Sequence, residues 1–169
     1  MRIAMLALVL IGGAAFSAEP GSSLQPFDFL VGHCWRGSFP DGKSEDTHCF
    51  ESVYGGRFVR DRHVVRGEQP DYSGESIYWL DPRTRRISYL YFNSAGGVST
   101  GTAVANGTKL QFGDEKYIGP DGKEQHLRTV WDRRGDDGYI AVTEQEANGT
   151  WVEAWRVEFR RAAAVPEGN

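Results

Sequence analysis

The sequence predicts an all-β protein, an antiparallel up-and-down barrel of about ten strands with a short helical turn before the first strand. Turn signals recur along the chain from Phe27 onward. The segments between them are short and rich in Val, Ile, Tyr, Phe, Trp and Thr, the residue types that favour strands. A meander of this many strands must protect its edges, and closure into a barrel does so completely. A sandwich of two sheets is the alternative.

The turns are marked by Gly, Asn, Asp and Pro, and Asn-Gly and Asp-Gly pairs give the strongest signals. Such pairs favour tight hairpins because type I′ turns need a positive φ at both central residues. The turn signals lie at residues 40–43, 55–56, 81–84, 93–96, 106–107, 120–122, 133–138 and 148–149. Strands are predicted to include residues 75–79, 87–92, 127–131, 139–143 and 151–160. The last segment also has a helical spacing of aromatic residues, but its alternation of apolar and charged side chains favours a strand.

The length and the charge of the chain limit its organisation and its partners. A chain of 169 residues fits one domain with a core of its own. The formal charge is −4 and the isoelectric point is about 5.6. Nucleic acids and anionic lipid surfaces both require a cationic face on the protein, so neither is expected as a partner. The sequence leaves the oligomeric state open.

The first 18 residues have the three parts of a secretory signal peptide. A positive start at Met1-Arg2 is followed by an apolar run over residues 3–11 and by small residues up to Ala18. This run is shorter than the ~20 apolar residues that a membrane-spanning helix needs. Cleavage is expected on one side or the other of Ala18, which predicts a periplasmic or secreted protein. The expected divisions are a signal peptide at 1–18, a leader at 19–26, a barrel at 27–161 and a flexible tail at 162–169.

Three short segments resemble lipocalin-like (calycin) barrels. Residues 27–37, with the sequence FDFLVGHCWRG, resemble the opening of such barrels, in which a helical turn leads into a Gly-x-Trp at the first strand. Here one extra residue separates Gly32 from Trp35. The YGGRF segment at 54–58 looks like a turn of bacterial lipocalin-like proteins of unknown function, and residues 157–161 look like their closing strand.

The resemblance implies a structure and no reaction. It implies a barrel with an internal cavity, in which Arg161, or else Arg160, packs over Trp35. Nitrobindin, a haem-binding barrel of ten strands, is similar in outline. No histidine follows His126, so the late-strand haem ligand expected of nitrobindin is missing and haem is not expected. We assign no cofactor on this basis.

The two cysteines are predicted to form a disulfide. A hairpin centred on Asp41-Gly42 places Cys34 directly opposite Cys49, at a separation that a disulfide can bridge. An exported protein reaches an oxidising compartment, where such pairs are oxidised; two free buried thiols are the alternative. The His33-Cys34 and His48-Cys49 pairs do not make a zinc site, because adjacent strand residues point to opposite faces.

The next hairpin decides which side chains line the barrel. A turn at Gly55-Gly56 places His48 opposite His63 and Glu51 opposite Arg60. A bulge at the two glycines would instead turn Arg60 and Arg62 inward, where they would suit a carboxylate or phosphate ligand. We favour the first register because it pairs opposite charges on the outer face. That register places one set of side chains on the inner face: Trp35, His33, His48, Asp61 and His63.

Three histidines and a carboxylate on one face could bind a divalent metal or act as an acid and a base. A hydrogen-bonded plug at the closed end of the barrel is the interpretation we favour, and no metal ligand is assigned. Two desolvated imidazoles resist carrying charge together. His48 and His63 are therefore expected to be neutral at pH 7, with Asp61 as an acceptor and with stability lost as the pH falls.

The cavity of the barrel is predicted to hold a small, largely apolar or amphipathic molecule. Two alternatives stay open. One is an enzyme that uses the inward histidines and Asp61, and the other is an exported protein-binding or inhibitor module with a filled barrel. No catalytic residue is assigned. The candidate ligand-binding residues are Trp35, His48, Asp61, His63, Tyr78, Tyr89 and Tyr91, and Trp35 and Arg161 also have a structural role.

Overall fold

The structure is a computed structural model that describes residues 23–67 and 71–162, apart from the side chain of Asp114. In that part of the chain one 3₁₀ turn, Gln25–Phe27, precedes ten strands. The strands are β1 (Cys34–Ser38), β2 (Glu45–Val53), β3 (Phe58–Arg66), β4 (Tyr72–Leu80), β5 (Ile87–Asn93), β6 (Val98–Asn106), β7 (Lys109–Ile118), β8 (Glu124–Arg133), β9 (Gly138–Ala147) and β10 (Thr150–Ala162). The predicted signal peptide lies outside the described residues, as do half of the leader and the tail beyond Ala162.

The strands close into an antiparallel barrel, which confirms the predicted fold class and rules out the sandwich. Each strand pairs with its neighbours in sequence, and β1 also pairs with β10. All five segments that the sequence predicted as strands lie within β4, β5, β8, β9 and β10. No helix among residues 23–67 and 71–162 has both the length and the apolar character needed to cross a bilayer.

The hairpin of β2 and β3 has the favoured register. His48 lies directly opposite His63, and the chain turns through residues 54–57. On the outer face Arg60 forms an ion pair with Glu51. The alternative register, which would turn Arg60 into the barrel, is therefore wrong.

The predicted disulfide joins Cys34 of β1 to Cys49 of β2. The two residues are directly opposed in the strand pair, and their Cα atoms lie 4.0 Å apart. Directly opposed residues of an antiparallel pair are within reach of a disulfide, so the hairpin register brings the two thiols together. A structural disulfide is typical of proteins in oxidising compartments.

One end of the barrel is closed by the segment around the 3₁₀ turn. Phe27 and Leu30 are fully buried there. Trp35 is fully buried too, its indole Nε1 donates to the backbone carbonyl of Leu30 at 3.2 Å, and its ring packs against Tyr139. The guanidinium of Arg161 lies 5.4 Å from the centre of the Trp35 ring, so the first and last strands meet at this end.

An irregularity in β7 changes which of its side chains face inward. Phe112 pairs with Thr129 of β8, but Glu115 pairs with Leu127. Three steps along β7 therefore match two steps along β8, as in a β-bulge. Strict alternation from the inward Phe112 would place Glu115 on the outer face, and the extra residue turns it into the barrel.

Candidate functional site

The barrel encloses a cavity of about 480 Å³. Its mouth is marked by Gln125 and Trp155, which belong to the wall and are exposed to solvent. Most of the wall is aromatic, and the rings pack on one another inside the barrel, with the centroids of Phe112 and Trp131 4.7 Å apart. Among the aromatic side chains of the wall are Tyr78, Tyr89, Tyr91, Phe112, Trp131 and Tyr139.

Four polar side chains form one connected network, here called the histidine wall: Asp46 and His48 of β2 with Asp61 and His63 of β3. His48 Nδ1 lies 2.8 Å and 3.0 Å from the two carboxylate oxygens of Asp61. On its other side, His48 Nε2 lies 3.0 Å from Oδ2 of Asp46. The second oxygen of Asp46 lies 3.2 Å from Nδ1 of His63. The two imidazole rings are stacked with their centroids 4.7 Å apart, as their cross-strand pairing requires.

The contacts of His48 fix its charge. Both ring nitrogens face carboxylate oxygens, which only accept hydrogen bonds, so both nitrogens carry a proton. Burial opposes the resulting charge, but the carboxylates of Asp46 and Asp61 outweigh burial and raise the pKa of His48 well above 6.5. Burial also opposes the charge of Asp46, yet the histidines hold the pKa of Asp46 far below 3.8.

The expectation of a neutral His48 is therefore wrong. The sequence argument counted one carboxylate beside two imidazoles, whereas two carboxylates face the same ring. The sign of the pH dependence changes with it. A raised pKa of His48 means that its stabilising charge is present below pH 6.5 and is lost as the pH rises through the raised value.

A chain of hydroxyl groups continues the network from His63. Tyr91 Oη lies 3.2 Å from Nε2 of His63 and 2.6 Å from Oη of Tyr72. This contact depends on Gly74 of β4, which pairs with His63. A Cβ atom at Gly74 would lie 2.5 Å from Nε2 of His63 and 2.6 Å from the Tyr91 hydroxyl oxygen. The missing side chain leaves the space in which the two groups meet.

A second group of side chains that line the cavity is called the aromatic wall: Tyr89, Phe112, Glu115, Trp131 and Tyr139. Four strands separate β2 from β7 in either direction around the barrel. Glu115 is the carboxylic acid of this wall, and it accepts a hydrogen bond of 2.6 Å from the hydroxyl of Ser99. Burial raises the pKa of Glu115 above 4.5, and the hydrogen bond from Ser99 only partly opposes this.

Two phenol groups of the aromatic wall have no partner. The hydroxyls of Tyr89 and Tyr139 are buried and make no hydrogen bond with any described residue. The Tyr89 hydroxyl interacts electrostatically with Glu115, but the contact does not meet the geometry of a hydrogen bond. Burial, reinforced by nearby carboxylates, raises the pKa of both tyrosines, so both stay protonated and able to donate.

The structure brings most of the predicted ligand-binding residues together. His48, Asp61, His63, Tyr78, Tyr89 and Tyr91 all line the cavity. Trp35 does not belong to the wall, because the Leu30 carbonyl and the rings of Phe29 and Tyr139 enclose it at the closed end. His33 is exposed. Strand β1 begins only at Cys34, after a turn in which Gly32 has a φ of +79°, so the inner face does not extend back to His33.

The sequence analysis missed two acidic residues of the cavity. Asp46 stands two residues before His48, so the alternation that placed His48 inside also places Asp46 inside. The sequence pattern could therefore have predicted Asp46. Glu115 is inward only because of the bulge in β7. Its one sequence signal is Gly113, since a glycine within a strand often marks a bulge.

The electrostatics of the cavity are acidic. Its wall includes Asp46, Asp61 and Glu115, and no Lys or Arg is found among the described residues that line it. Asp46, His48 and His63 also present ligand atoms that all lie within 4.8 Å of one another, close enough to share a metal ion. The cavity is therefore suited to a neutral or cationic guest and unsuited to an anion.

Comparison with known proteins found no family model and no curated protein that matches the chain. The closed barrel of ten antiparallel strands agrees with the architecture that the lipocalin-like resemblance implies. The functional conclusion therefore depends on the geometry of the cavity.

Proposed function

We propose that this protein binds one small, mostly apolar molecule inside the barrel, and that it does so after export to the periplasm or the extracellular medium. The observation that carries the proposal is the pair of buried, unpartnered phenol groups of Tyr89 and Tyr139 on an aromatic wall. More than about 90% of buried polar groups in folded proteins are hydrogen-bonded. A ligand with acceptor atoms would satisfy both hydroxyls.

The size of the cavity supports a small ligand. Small-molecule sites typically enclose about 300–1,000 Å³ and combine apolar walls with a few polar groups. The cavity of about 480 Å³ lies in the lower part of that range. The rings of Phe112 and Trp131 offer flat apolar surface, and aromatic rings pack well against other flat, unsaturated groups.

The polar groups of the wall narrow the chemistry of the ligand. Tyr89 and Tyr139 stay protonated, so each can donate to an oxygen or nitrogen atom of the ligand. Asp46 and Asp61 repel negative charge, and the imidazolium of His48, which is shared between these two carboxylates, offsets only part of it. The ligand is accordingly a neutral or cationic molecule, apolar over most of its surface, with acceptor atoms on one edge.

Two features support export. Residues 1–18 have the charged, apolar and small-residue parts of a signal peptide. The Cys34–Cys49 disulfide belongs to an oxidising environment such as the periplasm or the medium. The intact mass of protein recovered from either compartment would test this, since retention of residues 1–16 would contradict it.

Native mass spectrometry of protein purified from its own compartment tests ligand binding directly. The expected result is one bound organic molecule per chain, released on unfolding. A neutral fluorescent probe, N-phenylnaphthylamine, gives a second test on protein that has been unfolded, washed and refolded. Saturable binding of one probe molecule per chain is expected.

Two matched substitutions on β9 show where the probe binds. Ala141 is buried on the cavity wall, whereas Ala147 is exposed on the same strand. Ala141→Phe should fill the cavity and abolish probe binding, and Ala147→Phe should leave it unchanged. A folded Ala141→Phe variant that binds the probe like the parent would overturn the proposal, as would a parent protein that carries no ligand and binds no probe.

A further inference from the structure

We infer that the histidine wall is a binding site for one divalent transition-metal ion. The ligands are a carboxylate oxygen of Asp46, Nε2 of His48 and Nδ1 of His63, which all lie within 4.8 Å of one another. The Asp46 oxygens already lie 3.0 Å and 3.2 Å from the two imidazole nitrogens. Ligand atoms about 2.0–2.1 Å from a tetrahedral zinc ion stand about 3.3 Å apart, which is close to both oxygen–nitrogen distances.

The type of ligand identifies the class of metal. Two imidazole nitrogens and one carboxylate suit zinc, iron, cobalt and related ions, whereas calcium and magnesium prefer shells made of oxygen. Three protein ligands also leave at least one coordination position open. Asp46, His48 and His63 line the cavity, so an open position faces its interior.

In both histidines, the ring nitrogen that would not bind the metal has a polar partner, as is usual for metal-binding histidines. A ligating imidazole almost always gives its other N–H to a carboxylate, a carbonyl or another outer partner. The Nδ1 of His48 has Asp61 as that partner at 2.8 Å, and the Nε2 of His63 has the Tyr91 hydroxyl at 3.2 Å. Both rings therefore direct the remaining nitrogen toward Asp46, and the space over Gly74 preserves the second contact.

The charge of the wall also favours a divalent cation, because one imidazolium, His48, faces two buried carboxylates. Asp46 and Asp61 are 6% and 2% exposed, and buried carboxylates require compensating charge. No lysine or arginine from the described part of the chain reaches the cavity wall. One divalent ion would displace the proton from Nε2 of His48 to solvent and balance both carboxylates, with His48 and His63 as neutral ligands.

Metal titration of the full, untagged protein after chelator treatment tests the inference. Co²⁺ reports its own coordination through visible absorption, and Zn²⁺ binding is measured by calorimetry. We expect one site per chain, a Co²⁺ spectrum of low coordination number and displacement of Co²⁺ by Zn²⁺. His63→Gln and Asp46→Ala should each weaken binding by at least 100-fold.

Two further variants separate a built site from general affinity for imidazole. His126 is an exposed histidine beside Glu124, so His126→Ala should leave the affinity unchanged. Asp61→Asn keeps all three ligands but weakens the outer contact of His48, and loss of such a partner typically costs 10–100-fold in metal affinity. Circular dichroism and melting curves establish which variants are folded.

The inference is overturned if the folded parent binds neither ion with a dissociation constant below about 1 mM, or if a folded His63→Gln variant binds as tightly as the parent. Loss of the site in His126→Ala would overturn it too. These results are independent of the proposed ligand function, because N-phenylnaphthylamine binding is measured on the same metal-free protein. Probe binding without metal binding would remove the metal site and leave the ligand function standing.

Discussion

The two walls of the cavity treat a carboxylic acid in opposite ways. On the histidine wall, burial opposes the charge of Asp46, but His48 and His63 reverse this and hold the pKa of Asp46 far below its usual value. On the aromatic wall, burial of Glu115 is opposed only by neutral hydroxyl groups, and the pKa of Glu115 rises. The same barrel thus keeps one carboxyl charged and favours the neutral form of the other.

The difference shows which wall is complete and which is not. Every polar side chain of the histidine wall has partners within the protein. The aromatic wall leaves the hydroxyls of Tyr89 and Tyr139 without any. The metal-free histidine wall is held together by its own contacts, whereas the aromatic wall needs an organic ligand to satisfy its hydroxyl groups. We therefore expect that removing a polar group lowers the stability of the protein on the histidine wall and raises it on the aromatic wall.

The largest effect is expected from Asp61→Ala on the histidine wall. Asp61 is 2% exposed, and its loss leaves the imidazolium of His48 with one partner instead of two. Removing one member of a buried ion pair typically costs about 3–5 kcal/mol of unfolding free energy. Urea denaturation of metal-free protein measures the effect. Glu51→Ala is the matched control, because it removes the Arg60 partner on the half-exposed outer face and should cost less than about 1 kcal/mol.

The second-largest effect is expected from loss of the disulfide beside the histidine wall. Cys49 is adjacent to His48, and the bond to Cys34 spans a sequence separation of 15 residues. A loop of about this length contributes about 3 kcal/mol in the chain-entropy model. Reduction should lower the melting temperature by many degrees while the barrel still forms. A double Cys34→Ser and Cys49→Ser variant should melt at the lower temperature with or without reductant, and equal melting of reduced and oxidised parent protein would contradict the prediction.

The contrast between the walls also explains what the sequence could and could not predict. Hairpin arithmetic from two turns placed His48 opposite His63 and Cys34 opposite Cys49, because register in an antiparallel pair follows from the turn. The same register also places Asp46 on the inner face. The prediction of an inward His33 was wrong because β1 begins one residue later. Glu115 was missed because a bulge breaks the alternation on which the prediction relied.

The charge of His48 could not be predicted from pairing alone. Pairing locates Cα atoms, whereas the pKa of His48 depends on which carboxylates reach its two nitrogens. Asp46 stands two residues away on the same strand and Asp61 on the neighbouring strand, diagonal to His48. Side-chain geometry at this level decides the sign of a pH effect, and the sequence pattern does not contain it.

A pair of tyrosine substitutions should change stability in opposite directions. Tyr91→Phe removes a hydroxyl that contacts both His63 and Tyr72, and a lost hydrogen bond typically costs about 0.5–1.5 kcal/mol. Tyr139→Phe removes a hydroxyl that is buried without a partner, so it should stabilise the ligand-free protein by about 1 kcal/mol. Urea denaturation of both variants, each freed of ligand by refolding, provides the measurement. Destabilisation by both would show that Tyr139 has a partner after all and that the aromatic wall is complete.

The smallest expected effect is the contribution of Glu115 to the pH dependence of stability. A raised pKa of Glu115 means that the native protein holds this proton at pH values where the unfolded chain, with a pKa near 4.5, has released it. Stability therefore falls as the pH rises from 4.5 through the raised pKa, and it levels off once both states are ionised. Glu115→Gln removes that ionisation while its side-chain oxygen still accepts the hydrogen bond from Ser99.

Melting temperature measured against pH separates the two carboxyls of the cavity. The Glu115→Gln variant should match the parent below pH 4 and should become the more stable of the two as the pH approaches 7. The exposed Glu146 is the control, and Glu146→Gln should follow the parent across the range. If Glu115→Gln instead loses stability at neutral pH, the ionised carboxylate has a favourable partner on the aromatic wall. Glu115 would then resemble Asp46, and the aromatic wall would have to be counted as a second charged site.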